Sequence, residues 1–284
     1  MSHLDHGPGQ RGPDLARAEY ADGRHVCCPQ LCAVRLRAVR RQPRTYGRHG
    51  RRTSALADRG PPGHRSTTVG PVTSYAAVLW DLDGTIVDTE PLWMAAEQEL
   101  AEAHGKIWTE EDALQLVGNS LIASGEYIRT ALEIDMTPEQ IVDHLVASLA
   151  TSLRGNVVWR PGARELIEAL DAQGVPQALV TMSYVQIAEP IAEVLPFAAV
   201  VTGDAVTRPK PFPDPYLRAA ELLGVDASDC LAIEDSATGA ASATAAGCDV
   251  LAVPHYVHVP VADRRVQVPT LAGLTPADLD GLFG

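Results

Sequence analysis

Hydrophobic positions along this chain switch between two periods. From Tyr75 onward, short apolar runs of the kind that fill buried strands ("YAAVLWD", "PQALVT", "FAAVVTG", "DCLAIED" and "DVLAVP") alternate with stretches whose apolar residues recur every three or four positions. The second kind, "RPGARELIEALDAQG", "SYVQIAEPIAEVL", "DPYLRAAELLG" and "SATGAASATAAG", predicts helices between the strands, even with Pro190 inside one of them. "TPADLDGLFG" predicts a short closing helix. Unbroken apolar strands alternating with amphipathic helices predict an α/β fold: a Rossmann-like parallel sheet with helices on both faces.

One interval carries only the helical period. Pro91 to His104 sets Leu92, Ala95, Ala96, Leu100 and Ala103 on one face, and Gly105 follows as a stop. Further helices are predicted over Thr109–Val117, Leu121–Leu132 and Thr137–Leu153, the last opened by "TPEQ", a capping box with proline at the first helical position. The organisation expected is a core of residues 74–90 and 156–284 with an inserted, all-helical cap over 91–155. Residues 1–73 hold neither period. They are rich in Arg, Gly and Pro, and only Leu31 to Gln42 comes near a helical pattern. A disordered arm, or sequence upstream of the true start, is expected there.

Charge sharpens this division. The net charge of −13 combines 13 arginines and five acidic residues before Tyr75, a balance of +8, with −21 over the remainder. An acidic body repels phosphodiester backbones, so no nucleic-acid partner is expected for it. A small anionic substrate would need neutralisation by a metal or a lysine. No run of about 18 apolar residues predicts a transmembrane helix. The pairs Arg40-Arg41 and Arg51-Arg52 precede no hydrophobic export region. A cytoplasmic monomer without a membrane partner is expected. Cys230 and Cys248 sit in apolar contexts and read as core residues. His25, Cys27, Cys28 and Cys32 offer four soft donors in the arm, with a spacing that fits no familiar zinc site.

In open parallel sheets, ligands bind outside the carboxyl ends of the strands. Asp81 and Asp83 follow the first strand, Thr181 and Ser183 the second, and Glu234 and Asp235 the fourth; Lys210 lies in the loop after the third. Side chains at i and i+2 of a strand share a direction, so Asp81 and Asp83 could face one ligand. Two such carboxylates repel unless a cation sits between them, and with Asp235 they make an oxygen-only site of the kind that suits Mg²⁺. Each residue also has a plain structural reading. The aspartates could form a turn, the hydroxyls and acidic pair could cap helices, and the lysine could be a solvated charge.

"DLDGT" at 81–85, "LVT" ending at Thr181, the Lys210-Pro211 pair and "IEDS" at 233–236 resemble the four ordered motifs of the haloacid dehalogenase (HAD) superfamily of aspartate-nucleophile phosphohydrolases. The resemblance covers residues 75–284, and the helical insertion stands where the subgroup with a small helical (C1) cap carries its cap. It implies that Asp81 is the nucleophile and Asp83 the acid and base. It further implies that Thr181 binds a phosphoryl oxygen and Lys210 neutralises charge. Mg²⁺ would be held by Asp81, the backbone carbonyl of Asp83 and Asp235, with Glu234 assisting. The expected activity is a Mg²⁺-dependent phosphatase acting on a small phosphorylated metabolite, in particular a sugar phosphate, through an aspartyl-phosphate.

A β-phosphoglucomutase-type phosphomutase is the alternative, since it shares the cap type and all four motifs. A non-catalytic binding module on the same fold is the other. Dehalogenase chemistry is disfavoured by the presence of Asp83, and phosphonatase chemistry by Asp83 and by the placement of Lys106 in a loop. Substrate contacts are expected from Glu90, Asn119 and Ser120 in the insertion and from Ser183. Trp93 and Arg129 are further candidates, and Gly118 is expected to let backbone approach the core.

Overall fold

In the computed structural model, residues 73–154 and 157–283 are described. The arm, with its cysteines and the Leu31–Gln42 stretch, lies outside them. Six strands form one parallel sheet in the order β3-β2-β1-β4-β5-β6. They are β1 (Ala77–Trp80), β2 (Gln177–Val180), β3 (Ala199–Val201), β4 (Cys230–Glu234), β5 (Asp249–Ala252) and β6 (Arg265–Gln267). The chain builds outward from β1 through β2 to β3, then crosses back to lay β4 on the other side of β1. That reversal leaves the carboxyl ends of β2, β1 and β4 side by side, where such sheets bind ligands. The register fixes it: Leu79 lies beside Ala178 on one flank and Ala232 on the other.

The pleat divides β1 between two cores. Val78 and Trp80 join a cluster of large residues, with Leu179, Leu231, Ile233 and Leu251 from the neighbouring strands. Ala77 and Leu79 face a layer of small ones, Ala178, Ala199, Cys230, Ala232, Cys248 and Val250. The small layer lets α7 (Asp214–Leu223) and α8 (Ala237–Ala246) lie close to the sheet. Both cysteines are free and buried there, as expected from their contexts. On the opposite face, Trp80 donates its indole N–H to Gln177 Oε1 at 2.9 Å, and the Gln177 amide donates to Ile167 O at 3.0 Å, so this buried polar pair is satisfied.

Between β1 and α5 (Ala163–Ala172) stand four helices: α1 (Glu90–Ala103), α2 (Glu110–Leu114), α3 (Leu121–Leu132) and α4 (Pro138–Leu153). Ile128, Ile141, Leu145 and Leu149 bury their seams and are continuous with the large-residue core. Thr137 and Gln140 form the expected capping box on α4. The two segments joining these helices to the sheet run side by side, with Asp88 N–H bonded to Val158 O and Arg160 N–H to Ile86 O, both at 2.8 Å.

Two elements differ from expectation. α2 is shorter than Thr109–Val117, because the chain turns after Leu114 toward Gly118, which takes a positive φ of 78°. β6 was not expected. It is a three-residue, partly exposed edge strand in "RRVQVP", too short and too charged to show a strand period. α6 (Val185–Val194) continues through Pro190, and α9 (Pro276–Gly281) closes the fold behind a Thr275/Asp278 capping box. Among the described residues no helix is long and apolar enough to cross a membrane.

Candidate active site

Asp81 follows the last residue of β1, its N–H still bonded to Ile233 O of β4 at 3.0 Å, so the sheet ladder sets its position. Lys210, from the loop after β3, reaches under it. Its buried Nζ donates to Asp81 Oδ1 at 2.7 Å, to Glu234 Oε1 at 2.6 Å and to Val180 O at 3.0 Å. Glu234 also accepts from the Tyr216 hydroxyl at 2.5 Å and from Ser236 Oγ at 3.3 Å. Asp235 completes the group. Asp81, Glu234 and Asp235 place carboxylate oxygens within 4.8 Å of one another, all of them buried.

Three buried carboxylates share one ammonium, which leaves them short of positive charge. Burial and the Glu234 charge push the Asp81 carboxyl up to about 7, and burial with Asp81 and Glu234 holds Asp235 well above the usual range. Burial disfavours the Lys210 charge, but Asp81 and Glu234 outweigh it and keep the ammonium protonated. Asp81 Oδ2 and Asp235 Oδ2 are buried with no hydrogen-bond partner. Orphaned anionic oxygens in an all-oxygen set fit a hard divalent cation. Close approach is built in nearby: Gly84, at φ 77°, has no room for a Cβ, which would collide with the Asp235 carboxylate. A Cβ on Gly239 would meet Glu234.

Asp83 turns elsewhere. Thr89 donates to its Oδ1 at 2.6 Å, with the Trp93 indole N–H at 3.4 Å. Ser183 and Thr181 donate to Oδ2 at 2.7 and 3.1 Å. The Asp83 carboxylate therefore stands apart from the triad, although both aspartates line one cavity of about 80 Å³. Ser183, Glu90, Trp93, Gly118 and Asn119 line it as well. Thr181 is fully buried behind it, its hydroxyl engaged with Asp83 and with the Ser183 N–H. Ser120 caps α3 and Arg129 pairs with Glu126 at the surface; neither lines the cavity. Gly118 brings backbone against Ser236, where a Cβ would lie 3.0 Å from the serine Cβ.

Sequence reasoning missed Tyr216, Thr89 and Glu97. Tyr216 falls on the apolar stripe of α7, where its hydroxyl gives no signal, and Glu97 is one of several glutamates on α1. Thr89 stands in "DTEP" beside a residue that was singled out.

The haloacid dehalogenase-like hydrolase family matches residues 78–253, well over half of the chain. The chain belongs to that family. Hexitol phosphatase A of Escherichia coli (strain K12) is 36% identical over 180 residues, covering 62% of this chain and 81% of the relative. N-acetylmuramic acid 6-phosphate phosphatase of Pseudomonas aeruginosa is 32% identical over 194 residues, covering 64% and 83%. Among solved structures, CbbY from Rhodobacter sphaeroides in complex with phosphate superposes with a TM-score of 0.65 at 27% identity, over 72% of this chain and 99% of that one. This HAD-family chain is a phosphoric monoester hydrolase acting on small phosphate esters.

The raised carboxyls give the metal-free protein a definite pH dependence. Burial pushes Glu90 up to about 8 and Glu97 to about 7, alongside Asp81. A carboxyl whose folded pKa exceeds its unfolded value of about 4 binds more protons folded than unfolded, so stability falls as pH rises between the two. In EDTA, Tm is expected to fall from about pH 5 to about pH 8. With a divalent cation present the fall is expected to be smaller, so the stabilisation by the cation grows with pH. Thermal denaturation with and without EDTA at both pH values checks this.

Proposed function

We propose that this enzyme hydrolyses a sugar phosphate through a phosphorylated Asp81, with Mg²⁺ as its metal. The carrying observation is that Asp81 Oδ2 and Asp235 Oδ2 are buried without a hydrogen-bond partner in a cluster of three carboxylates that Lys210 touches. Asp81, Asp235 and the backbone carbonyl of Asp83, with Glu234 assisting, would hold the ion. When bound, it would neutralise phosphoryl charge and make attack by an anion feasible.

The chain's own residues supply the rest. An Asp81 oxygen attacks phosphorus as the bond to the leaving oxygen breaks, and Lys210 offsets charge on the nucleophile and the phosphoryl group. Asp83, held by Thr89, Thr181 and Ser183, takes up a proton from solvent as the substrate binds and gives it to the leaving oxygen. It then takes a proton from the water that attacks the same phosphorus, which breaks the bond to Asp81 and restores the carboxylate. Ser183, at the cavity wall, and Thr181, as Asp83 shifts, would meet phosphoryl oxygens.

We read α1–α4, residues 91–155, as a cap over this chemistry. The paired connections at Asp88/Val158 and Ile86/Arg160 form its base, and a cavity of about 80 Å³ has room for a few waters. A substrate would enter as the cap moves, and the closed cap then excludes water. Relatives named for hexitol and for N-acetylmuramic acid 6-phosphate support a phosphorylated sugar derivative as the substrate.

The test is Mg²⁺-dependent phosphate release from p-nitrophenyl phosphate and a panel of sugar phosphates. Release that EDTA abolishes is expected; no release from any ester would overturn the reading. With β-glucose 1-phosphate and a trace of its bisphosphate, glucose 6-phosphate accumulating faster than free phosphate would make the enzyme a mutase.

A further inference from the structure

α1 turns two carboxyls toward the cavity. Glu90 and Glu97 lie two turns apart on its buried face with Trp93 between them, and all three line the cavity that holds Asp81, Asp83 and Lys210. Glu90 is 8% exposed and Glu97 4%. The insertion itself orients Glu97: the Trp108 indole N–H donates to Oε2 at 3.0 Å, and among the described residues Oε1 has no hydrogen-bond partner. The Glu90 carboxyl has none on either oxygen among them. These oxygens open onto the cavity, where a ligand's donor or acceptor can reach them.

The cation inventory narrows what that is. Lys210 is the one Lys, Arg or His among the described residues lining the cavity, and its ammonium is engaged by Asp81, Glu234 and Val180 O. Arg129 is paired with Glu126 at the surface, and Lys106 reaches Glu133 at 3.7 Å. A leaving group carrying a carboxylate or a second phosphate would put its anion against Glu90 and Glu97 with no cation to receive it. A hydroxyl can donate to a carboxylate or accept from a carboxylic acid, so it satisfies either form.

Building on the phosphatase reading, we propose that Glu90 and Glu97 form a polyol-binding subsite. It selects phosphate esters whose leaving alcohol is neutral and hydroxyl-rich, and it rejects those with a second anionic group. A sugar bisphosphate is rejected on the same ground, which sets this site against phosphomutase chemistry.

Glucitol 6-phosphate and 6-phosphogluconate test this, because they differ only where a terminal alcohol is replaced by a carboxylate. With Mg²⁺ present at about pH 9, where the raised carboxyls of Glu90 and Glu97 are ionised, kcat/KM for the glucitol ester is expected to exceed that for the gluconate ester by about a hundredfold or more. Glu97→Gln and Glu90→Gln are each expected to cut this ratio by about tenfold or more. The ratio within one preparation does not depend on how much of it is folded. Values within about threefold of each other in the wild type, or a ratio unmoved in both variants, overturn the subsite. Turnover of p-nitrophenyl phosphate without a preference for the glucitol ester overturns the subsite alone. No turnover of any of the three esters overturns the phosphatase reading beneath it.

Discussion

Asp81→Asn is expected to lower kcat by about 10⁴-fold or more while leaving the fold intact. The amide keeps the size of the side chain but loses the anion that would attack phosphorus. The same change relieves a buried crowd of charge, because Asp81 shares one ammonium with Glu234 and lies within the triad that includes Asp235. The isosteric amide is therefore expected to leave Tm in EDTA at neutral pH equal to or above that of the wild type. Steady-state phosphate release together with thermal denaturation separates the two effects. A large drop in both activity and Tm would point to a structural role for Asp81 instead.

Lys210→Met has the second largest expected effect, and it acts on both activity and stability. Turnover is expected to fall by about 10³-fold, as when a preorganised charge donor is removed from a transition state. Stability in EDTA at about pH 8 is expected to fall by about 3 kcal/mol, because the buried Asp81 and Glu234 lose the ammonium that pairs with them. The sign with pH follows from the carboxyls. Toward about pH 5 they take up protons and need no counter-charge, so the variant's deficit is expected to shrink. Denaturant unfolding at the two pH values measures it. Equal deficits at both would mean that Lys210 stabilises through its cation–π contact with Tyr216, whose ring centroid lies 5.3 Å from Nζ, and not through the titrating carboxylates.

Much of this was legible in the sequence because the chemistry sits where patterns change. The apolar runs of β1, β2 and β4 each end on polar residues, and a parallel sheet with β1 at its centre brings those ends together. The helix over Leu121–Leu132 was equally plain from its period, although Ser120, expected as a substrate contact, caps it instead. What escaped notice has physical causes. β6 lies at an exposed edge where no buried face imposes alternation, so three residues of "RVQ" carry no strand signal. Tyr216 packs as an apolar residue and acts through its hydroxyl, and helical periodicity cannot separate the two. Glu97 looks like any solvent-facing glutamate until the fold sets Trp108 against it. The different surroundings of the two aspartates were hidden too. Two residues apart on an extended strand they would share a direction. Past the end of β1, though, the backbone turns at Gly84, and Asp83 meets hydroxyls from three positions, Thr89, Thr181 and Ser183.

The central claim is that Asp81 carries the phosphoryl group between substrate and water. Quenching the enzyme during turnover of a good substrate and reducing it with borohydride converts an acyl phosphate to an alcohol, which marks the residue that held it. Mass spectrometry of the digest is expected to find homoserine at position 81, and no such change in enzyme quenched without substrate. Phosphate release with position 81 unmodified, or with the mark on another carboxylate such as Asp83 or Asp235, would contradict the account.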